Sequence, residues 1–103
     1  MSNRQKALNL LGLATRARKL VSGTEIVVGA IKKGKAKCVI IANDLADNGQ
    51  EEVRSALKQH PVPLVAAFSS EELSQAIGKQ RKVLALTDSG FAKALQAKIK
   101  EGV

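Results

Sequence analysis

The side chains that could perform catalysis are few in this sequence. His60 is the only histidine, and it precedes a proline at the end of a helical pattern, which favours an exposed residue that ends a helix. Cys38, the only cysteine, opens an apolar stretch where a free thiol behaves as a small hydrophobic residue, and no base stands near it. No group of His, Cys, Asp and Glu has metal-site spacing. We therefore predict no catalytic site, no metal and no cofactor.

Two polar pairs, Asn43-Asp44 and Thr87-Asp88, directly follow apolar stretches. The ends of strands line many ligand sites in open α/β sheets, so a small-ligand domain is one interpretation of these pairs. The same residue types also cap helices and form turns. We predict capping for both pairs, and the small-ligand interpretation stays as a weaker alternative.

Positive charge is the strongest chemical signal in the sequence. The 103 residues include 17 Lys and Arg against nine Asp and Glu, which gives a formal net charge of +8. Residues 1–37 contain nine of these cations and one acid, Glu25, so the whole excess lies there. Solvated surfaces usually mix both signs, and this asymmetry favours nucleic acid over solubility or anionic lipid. Aromatic residues are only 2% of the chain, too few for a base-stacking platform.

Five amphipathic helices are predicted from start signals and apolar spacing. Ser2, Ser22 and Ser69 each stand three residues before Gln or Glu, the pattern of a capping box. Asp47 and Asp88 can cap two further helices. Apolar residues three and four apart follow each start, as a helix with one buried face requires.

Three stretches between the helices, CVIIA (38–42), PLVAAF (63–68) and VLALT (83–87), are continuously apolar, and a shorter strand is predicted at 19–21. Such runs are typical of strands that are covered on both faces. Alternation with helices predicts an α/β fold, a three-layer α/β/α sandwich with a mixed, mostly parallel sheet of about four strands. The length predicts a single domain over residues 1–103.

The segment LVSGTE places Gly23 and Thr24 at the start of the second helix. Free backbone N–H groups and the helix dipole favour an anion or a base-edge acceptor at that end. Gly23 has no side chain, so another backbone can approach closely. Lys32 and Lys33 end the same helix, and compensation of its dipole would explain these two cations but not the others nearby. The pattern predicts a helix with phosphate-binding charges at both ends.

Two long segments, SGTEIVVGAIKKGKAKCVIIAND and VPLVAAFSSEELSQAIGK, resemble the ribosomal-protein family of kink-turn RNA binders, which includes archaeal and eukaryotic large-subunit proteins. LLGLATRARKLVSG and ALTDSGFA are more similar to its small bacterial YlxQ-like branch. The resemblance covers nearly the whole chain. It implies an α/β/α sandwich that recognises RNA, without catalysis, through the start of the second helix and adjacent loops.

Alignment on Gly34 places the family's Gly-Thr-Asn-Glu motif on residues 23–26, where only the Gly and the Thr match. The family's lysine one turn later is Gly29 here, whereas the basic residue before the glycine is kept as Lys33. A second contact loop corresponds to GKQRK, with Arg81 at a basic contact. Position 26 could equally belong to the core. The predicted RNA-binding residues are Gly23, Thr24, Glu25, Ile26, Lys32, Lys33, Lys79 and Arg81.

The predicted function is that of a non-enzymatic RNA-binding protein that recognises kink-turn or internally looped RNA, ribosomal or messenger, by its shape and splayed bases. The alternative is a protein–protein adaptor in translation or RNA processing that uses the same fold. The expected partner is structured RNA, with the ribosome as a further candidate, no DNA preference and no membrane. We expect a monomer. Cytoplasmic localisation is predicted because the chain shows no secretory signal, no apolar run of about 20 residues and no pair of cysteines.

Overall fold

The computed structural model describes residues 1–103 and contains five helices and four strands. Each predicted helix and strand is present, although the third strand is much shorter than its apolar stretch. The order along the chain is α1 (Asn3–Arg16), β1 (Leu20–Ser22), α2 (Thr24–Lys32), β2 (Cys38–Ile41), α3 (Asp47–Gln59), β3 (Leu64–Val65), α4 (Ser70–Ile77), β4 (Val83–Leu86) and α5 (Ser89–Glu101).

The four strands form one mixed sheet in the order β1-β4-β2-β3. β4 lies between β1 and β2 and pairs antiparallel with both, and only β2 and β3 are parallel. The predicted α/β class with a mixed four-stranded sheet is confirmed, whereas the prediction of a mostly parallel sheet is wrong. An unbroken apolar pattern reports that a strand is buried on both faces but does not report its direction.

Helices cover both faces of this sheet. Every residue of β2 and β4 is buried, and successive side chains of a strand point to opposite faces, so both faces must be covered. α1 packs against α4 and α5, whereas α2 packs against α3. The two helical groups with the sheet between them form the layers of an α/β/α arrangement. The core contains 25 buried residues, none of them polar or charged.

Three of the predicted helix caps are confirmed. The Ser69 hydroxyl accepts from the Glu72 N–H, and the Glu72 carboxylate accepts from the Ser69 N–H, which completes a capping box. The Asp88 carboxylate accepts from the backbone of α5 at 2.9 Å. The Ser2 hydroxyl caps α1 in the same way, at 3.1 Å. Each of these interactions depends on a few consecutive residues, which explains why the sequence predicts them.

Two other predicted caps are wrong. Ser22 belongs to β1, where it is paired with Leu84, so it cannot begin α2. The N-cap of α2 is Gly23, which has φ 101° and no side chain to accept a hydrogen bond. Asp47 is the first residue of α3, and the residue before it, Ala46, is the N-cap. Because Ser22 is paired in the sheet, the N-cap of α2 lies one residue later than predicted.

Arg4 connects α1 to three other parts of the chain. Its guanidinium forms a bidentate ion pair with Glu72 of α4, with N–O distances of 2.6 and 2.5 Å. It also donates to the backbone oxygens of Ala67 at 3.1 Å and Val103 at 3.2 Å. The guanidinium carbon lies 5.0 Å from the centroid of the Phe68 ring, within the range of a cation–π interaction. These contacts hold the first turn of α1 against the start of α4.

The Glu72 carboxylate should make the stability of the fold sensitive to acid. Hydrogen bonds from Arg4 and from the Ser69 N–H lower the pKa of Glu72 from 4.5 to about 2. Because the folded pKa lies below the unfolded one, this contribution is complete above about pH 4.5 and is lost as the pH falls towards 2. We expect Glu72→Gln to lower the free energy of unfolding by about 1 kcal/mol at neutral pH, a modest value because both side chains are partly exposed.

Thermal unfolding of wild type and Glu72→Gln, in neutral and in acidic buffer, measures this effect. The difference between their midpoints should shrink in acid, where the wild-type carboxylate is also neutralised. A difference that stays constant with pH would show that the ionised form of Glu72 is not what stabilises the fold.

Candidate nucleic-acid interface

A groove of about 810 Å³ lies between the start of α2, helix α4 and the loop that leads into β4. Gly23 and Thr24 line it from the first side, and Lys79 and Arg81 line it from the loop. These residues are distant in the sequence but meet because β1 and β4 are neighbours in the sheet. The Gly23 N–H donates to the carbonyl oxygen of Val83 at 2.9 Å, which fixes the end of β1 beside the start of β4. The structure therefore brings four of the eight predicted residues together.

Most residues that line the groove have polar or charged side chains, although carbon atoms contribute most of its exposed surface. Only Leu45 and Val83 are hydrophobic among the 13 residues that line it. The polar and charged side chains can bond a polar partner, and their carbon stems supply apolar surface beside those groups.

The first turn of α2 presents free hydrogen-bond donors. The N–H of Val27 is the first in this helix to find a backbone acceptor, the Gly23 carbonyl oxygen at 2.9 Å. The N–H groups of residues 24–26 precede it and have no acceptor within the protein, and Gly23 supplies no capping side chain. These donors and the positive end of the helix dipole attract anionic or carbonyl groups.

Ile26 lies on the surface and not in the core. Its side chain is 60% exposed, whereas Val27 and Ile31 form the buried face of α2. Glu25 is exposed as well. Gly23 cannot be replaced cleanly, because any other residue would be strained at its φ of 101°. Changes at the exposed positions are therefore better probes of this surface.

Lys32 and Lys33 do not line the groove. They lie at the other end of α2, and a helix of nine residues is about 13 Å long. Lys32 lines a different groove, between α2 and α3, together with Glu51 and Glu52. Lys33 is the C-cap residue of α2 and is exposed. The four predicted residues at the start of α2 therefore lie apart from the two lysines at its end, and the two loop residues share the groove with the start.

Ser74 of α4 is a site residue that sequence reasoning missed. Its hydroxyl accepts from the Arg81 N–H at 3.1 Å and donates to the Arg81 carbonyl oxygen at 3.2 Å. These bonds fix the backbone of the loop before β4, Lys79–Lys82, against α4 after the left-handed turn at Gly78. The serine carries no local signal of this role, because its partner lies beyond the end of the helix.

Asp44 acts as a capping residue beside the same groove. Its carboxylate accepts from the hydroxyl and the N–H of Ser70, at 2.8 and 2.9 Å, and these bonds lower the pKa of Asp44. Asp44 thus supports the start of the distant helix α4 and not that of α3, the helix that follows it, whereas the capping prediction is confirmed for Asp88 at the start of α5.

The two residues considered first for catalysis lie outside the groove. Cys38 is fully buried in β2, and burial raises the pKa of its thiol to about 11. His60 is exposed at the end of α3. No three His, Cys, Asp or Glu side chains are grouped so that they could hold a metal ion. None of the helices has the length and apolar character that crossing a membrane requires.

A mixed sheet between two helical layers, with α2 beginning at a glycine, agrees with the family that the sequence identifies. The chain belongs to the ribosomal protein L7Ae/L30e/S12e/Gadd45 family, whose sequence pattern matches residues 5–96. The resemblance inferred from the sequence, including that to the YlxQ-like branch, is thereby confirmed.

Three similar proteins illustrate the range of this relationship. The RNA-binding protein YlxQ of Enterococcus faecium is 47% identical over 91 residues, which cover 88% of each chain. A solved structure from Bacillus halodurans C, of a protein with unknown function, has a TM-score of 0.87 at 35% identity and covers 92% of this chain and 97% of that one. The Giardia lamblia 15.5kD RNA binding protein shares the fold, with a TM-score of 0.76 at 21% identity, covering 96% of this chain and 86% of its own.

Proposed function

We propose that this chain is a non-enzymatic protein that binds structured RNA at a kink-turn or an internal loop. The observation that carries the proposal is the meeting of the first turn of α2 with the Lys79–Lys82 loop along one polar groove. Free N–H donors lie on one side of this groove and cations lie on the other. Family membership and the names of the YlxQ and 15.5kD relatives support the same function.

The groove suits an irregular RNA better than a regular duplex. The major groove of an A-form helix is too deep and narrow for side chains, so proteins read RNA where bases are splayed out or the backbone is bent. The N–H groups of the first turn of α2 and the Thr24 hydroxyl would meet base edges or phosphates. Lys79 and Arg81 would hold the backbone across the groove, because contacts to phosphate set the position of the RNA.

Glu25 and Ile26 would make contacts with RNA that differ from those of the family's motif. They stand where the family's motif has Asn and Glu, and both are exposed at the start of α2. The Glu25 carboxylate can accept hydrogen bonds from base amino groups, and Ile26 offers an apolar surface to a base. Lys32 and Lys33, at the far end of the helix, would reach the stem that leads away from the loop. The site thus comprises all eight residues along α2 and the loop before β4.

The proposal includes the setting of this interaction. The RNA is ribosomal or messenger, the protein acts in the cytoplasm, and residues 1–103 form one RNA-binding domain that works as a monomer. Ribosome association follows if the recognised RNA is ribosomal. A protein–protein adaptor with the same fold remains the alternative, and it predicts no preference for any RNA.

Binding to a kink-turn RNA and to a fully paired duplex of the same length and composition tests the proposal. We expect the kink-turn RNA to bind about tenfold more tightly, equivalent to about 1.4 kcal/mol, because only this RNA presents splayed bases to the start of α2. Fluorescence anisotropy with both RNAs at the same salt concentration measures the ratio. Equal affinities would contradict kink-turn recognition, and the absence of binding to either RNA would favour the adaptor function.

A further inference from the structure

Four cationic side chains lie together at the end of the sheet opposite the groove. They flank the starts of β1 and β2, and we refer to them as the basic edge: Arg18, Lys19, Lys35 and Lys37. All four are exposed. The groove, by contrast, lies at the end of β1, where Gly23 follows the strand. The basic edge and the groove therefore lie at opposite ends of β1, separated by the length of this strand.

The pairing of the strands fixes two of these lysines in register. Leu20 and Cys38 both lie opposite Leu86, one on each side of β4. One residue further along, Lys19 and Lys37 flank β4 in the same way. The Lys19 carbonyl accepts from the Thr87 N–H at 2.9 Å, and the Lys37 N–H donates to the Leu86 carbonyl at 2.7 Å. Two strand spacings separate the backbones of these lysines by about 10 Å.

No acid forms an ion pair with a side chain of the basic edge. The two ion pairs of the protein join Arg4 to Glu72 and Lys98 to Glu101, so neither involves this surface. Asp88 is the acid that follows β4, and its carboxylate is engaged in capping α5. The basic edge therefore has four cations beside one carboxylate, and the groove has three cations beside the Glu71 carboxylate. Both surfaces carry an excess of positive charge that favours a polyanion.

Compensation of helix dipoles accounts for only part of this charge. The N–H groups of Lys19 and Lys35 donate to the carbonyl oxygens of Ala14 and Ala30, in the last turns of α1 and α2, so both charges can complement the dipoles there. Lys37 lies further along, at the start of β2, and has no such role. Exposed, unpaired cations repel one another, and a binding partner of opposite charge accounts for the grouping that the dipoles leave unexplained.

We propose that the basic edge binds the phosphate backbone of a second RNA segment, a plain double helix, while the groove holds the irregular RNA. Lys19 and Lys37, about 10 Å apart on either side of β4, can contact successive phosphates of one backbone. The edge has no aromatic residue for stacking on bases, so its contacts carry no sequence information. The two surfaces lie at opposite ends of β1, so each can hold a separate RNA segment.

The composition of the basic edge favours RNA over a membrane or an acidic protein. The large hydrophobic residues that are exposed, Met1, Leu13 and Ile26, all lie elsewhere, and a membrane-surface site needs an apolar face. Lysine is depleted at protein–protein interfaces, which are instead rich in aromatic residues. A surface made of three lysines and an arginine suits a chain of phosphates.

The test compares wild type with an edge variant in which Lys19, Lys35 and Lys37 are all replaced by Gln. The probe is a fluorescent, fully paired RNA duplex, titrated by anisotropy as salt is raised. We expect the edge variant to bind this duplex about tenfold more weakly at about 0.1 M salt. Its slope of log affinity against log salt should be less steep by about 2, since each phosphate contact contributes about 0.7–0.9. Its thermal midpoint should match that of wild type, because these side chains have no partners.

A matched control removes the same charge from other places. Lys6, Arg54 and Lys100 are exposed and unpaired, and replacing all three by Gln should reduce duplex affinity less than about threefold. Equal losses in the two triple variants would overturn the proposal, because net charge alone would then explain binding. Equal displacement of the duplex by polyglutamate or by anionic phospholipid vesicles, at matched charge, would also overturn it.

A second measurement tests whether both surfaces are used at once. Wild type loaded with one equivalent of kink-turn RNA should still bind the labelled duplex and migrate with both RNAs, whereas the loaded edge variant should not. Exclusion of the duplex by the kink-turn RNA would show a single shared surface and overturn the proposal. The proposed function can fail separately, since a protein without kink-turn preference could still lose duplex binding through the edge variant alone.

Discussion

Replacement of Gly12 by Ala is expected to lower the free energy of unfolding by about 1–3 kcal/mol, the usual cost of overpacking. Gly12 lies in α1 where this helix packs against α4. A β-carbon at this position would lie 2.9 Å from the carbonyl oxygen of Ala76. The neighbouring atom belongs to a helix backbone, so it cannot turn away as a flexible side chain could. The two helices would have to separate.

Gly29→Ala is the matched control for this change. Gly29 lies within α2, and an added β-carbon would meet no atom within 4 Å. Alanine in a helix interior is about 0.5–1 kcal/mol more favourable than glycine, so this variant should be more stable than wild type. Thermal midpoints should therefore move in opposite directions, by about 4–8 °C for each kcal/mol in a domain of this size. A stable Gly12→Ala variant would show that α1 and α4 can move apart at little cost.

The parts of the fold that the sequence predicts well depend on neighbouring residues. The caps at Ser2, Ser69 and Asp88 each join groups three residues apart, so the local pattern contains the whole interaction. The apolar strands and amphipathic helices are predicted for the same reason. The Ser22 cap fails because cross-strand pairing, a distant interaction, extends β1 by one residue and assigns the start of α2 to a glycine.

Strand direction illustrates the limit of local patterns. An antiparallel β4 between β1 and β2 has the same buried, apolar residues that a parallel strand would have. The Lys79–Lys82 loop brings the chain into the sheet beside Gly23, at the end where β1 finishes, so β4 runs opposite to β1. That outcome depends on the packing of α4, and no short segment of the sequence reports it.

The candidate site is also only partly predictable from local sequence patterns. Gly23 and Thr24 are found from the helix start, and Lys79 and Arg81 from their charge in a loop, but only the sheet brings them to one groove. Lys32 belongs to the same helix as Thr24 and yet lies at its far end, because nine helical residues span about 13 Å. A charge count treats these positions as one cluster, and the fold divides them between two surfaces.

The loss of both loop cations should have the largest effect on binding to irregular RNA. We expect the double variant Lys79→Gln/Arg81→Gln to bind kink-turn RNA at least about 100-fold more weakly, since each of the two lost hydrogen bonds to a charged group contributes about 1.5–3 kcal/mol. Both side chains lie at the groove, across from the free N–H groups of α2. The fold should persist, because Ser74 holds the loop through the backbone of Arg81 and not through its side chain.

The matched control is Lys6→Gln/Lys100→Gln, which removes the same charge from exposed positions outside the groove. Anisotropy titrations of wild type and both double variants, with one kink-turn RNA at one salt concentration, measure the effect. The control should bind within about threefold of wild type, because distant exposed charges are largely screened. Plain duplex RNA should be affected less than kink-turn RNA by the loop variant, since the basic edge is intact. If loop and control variants lose equal affinity for the kink-turn RNA, the groove is not where that RNA binds.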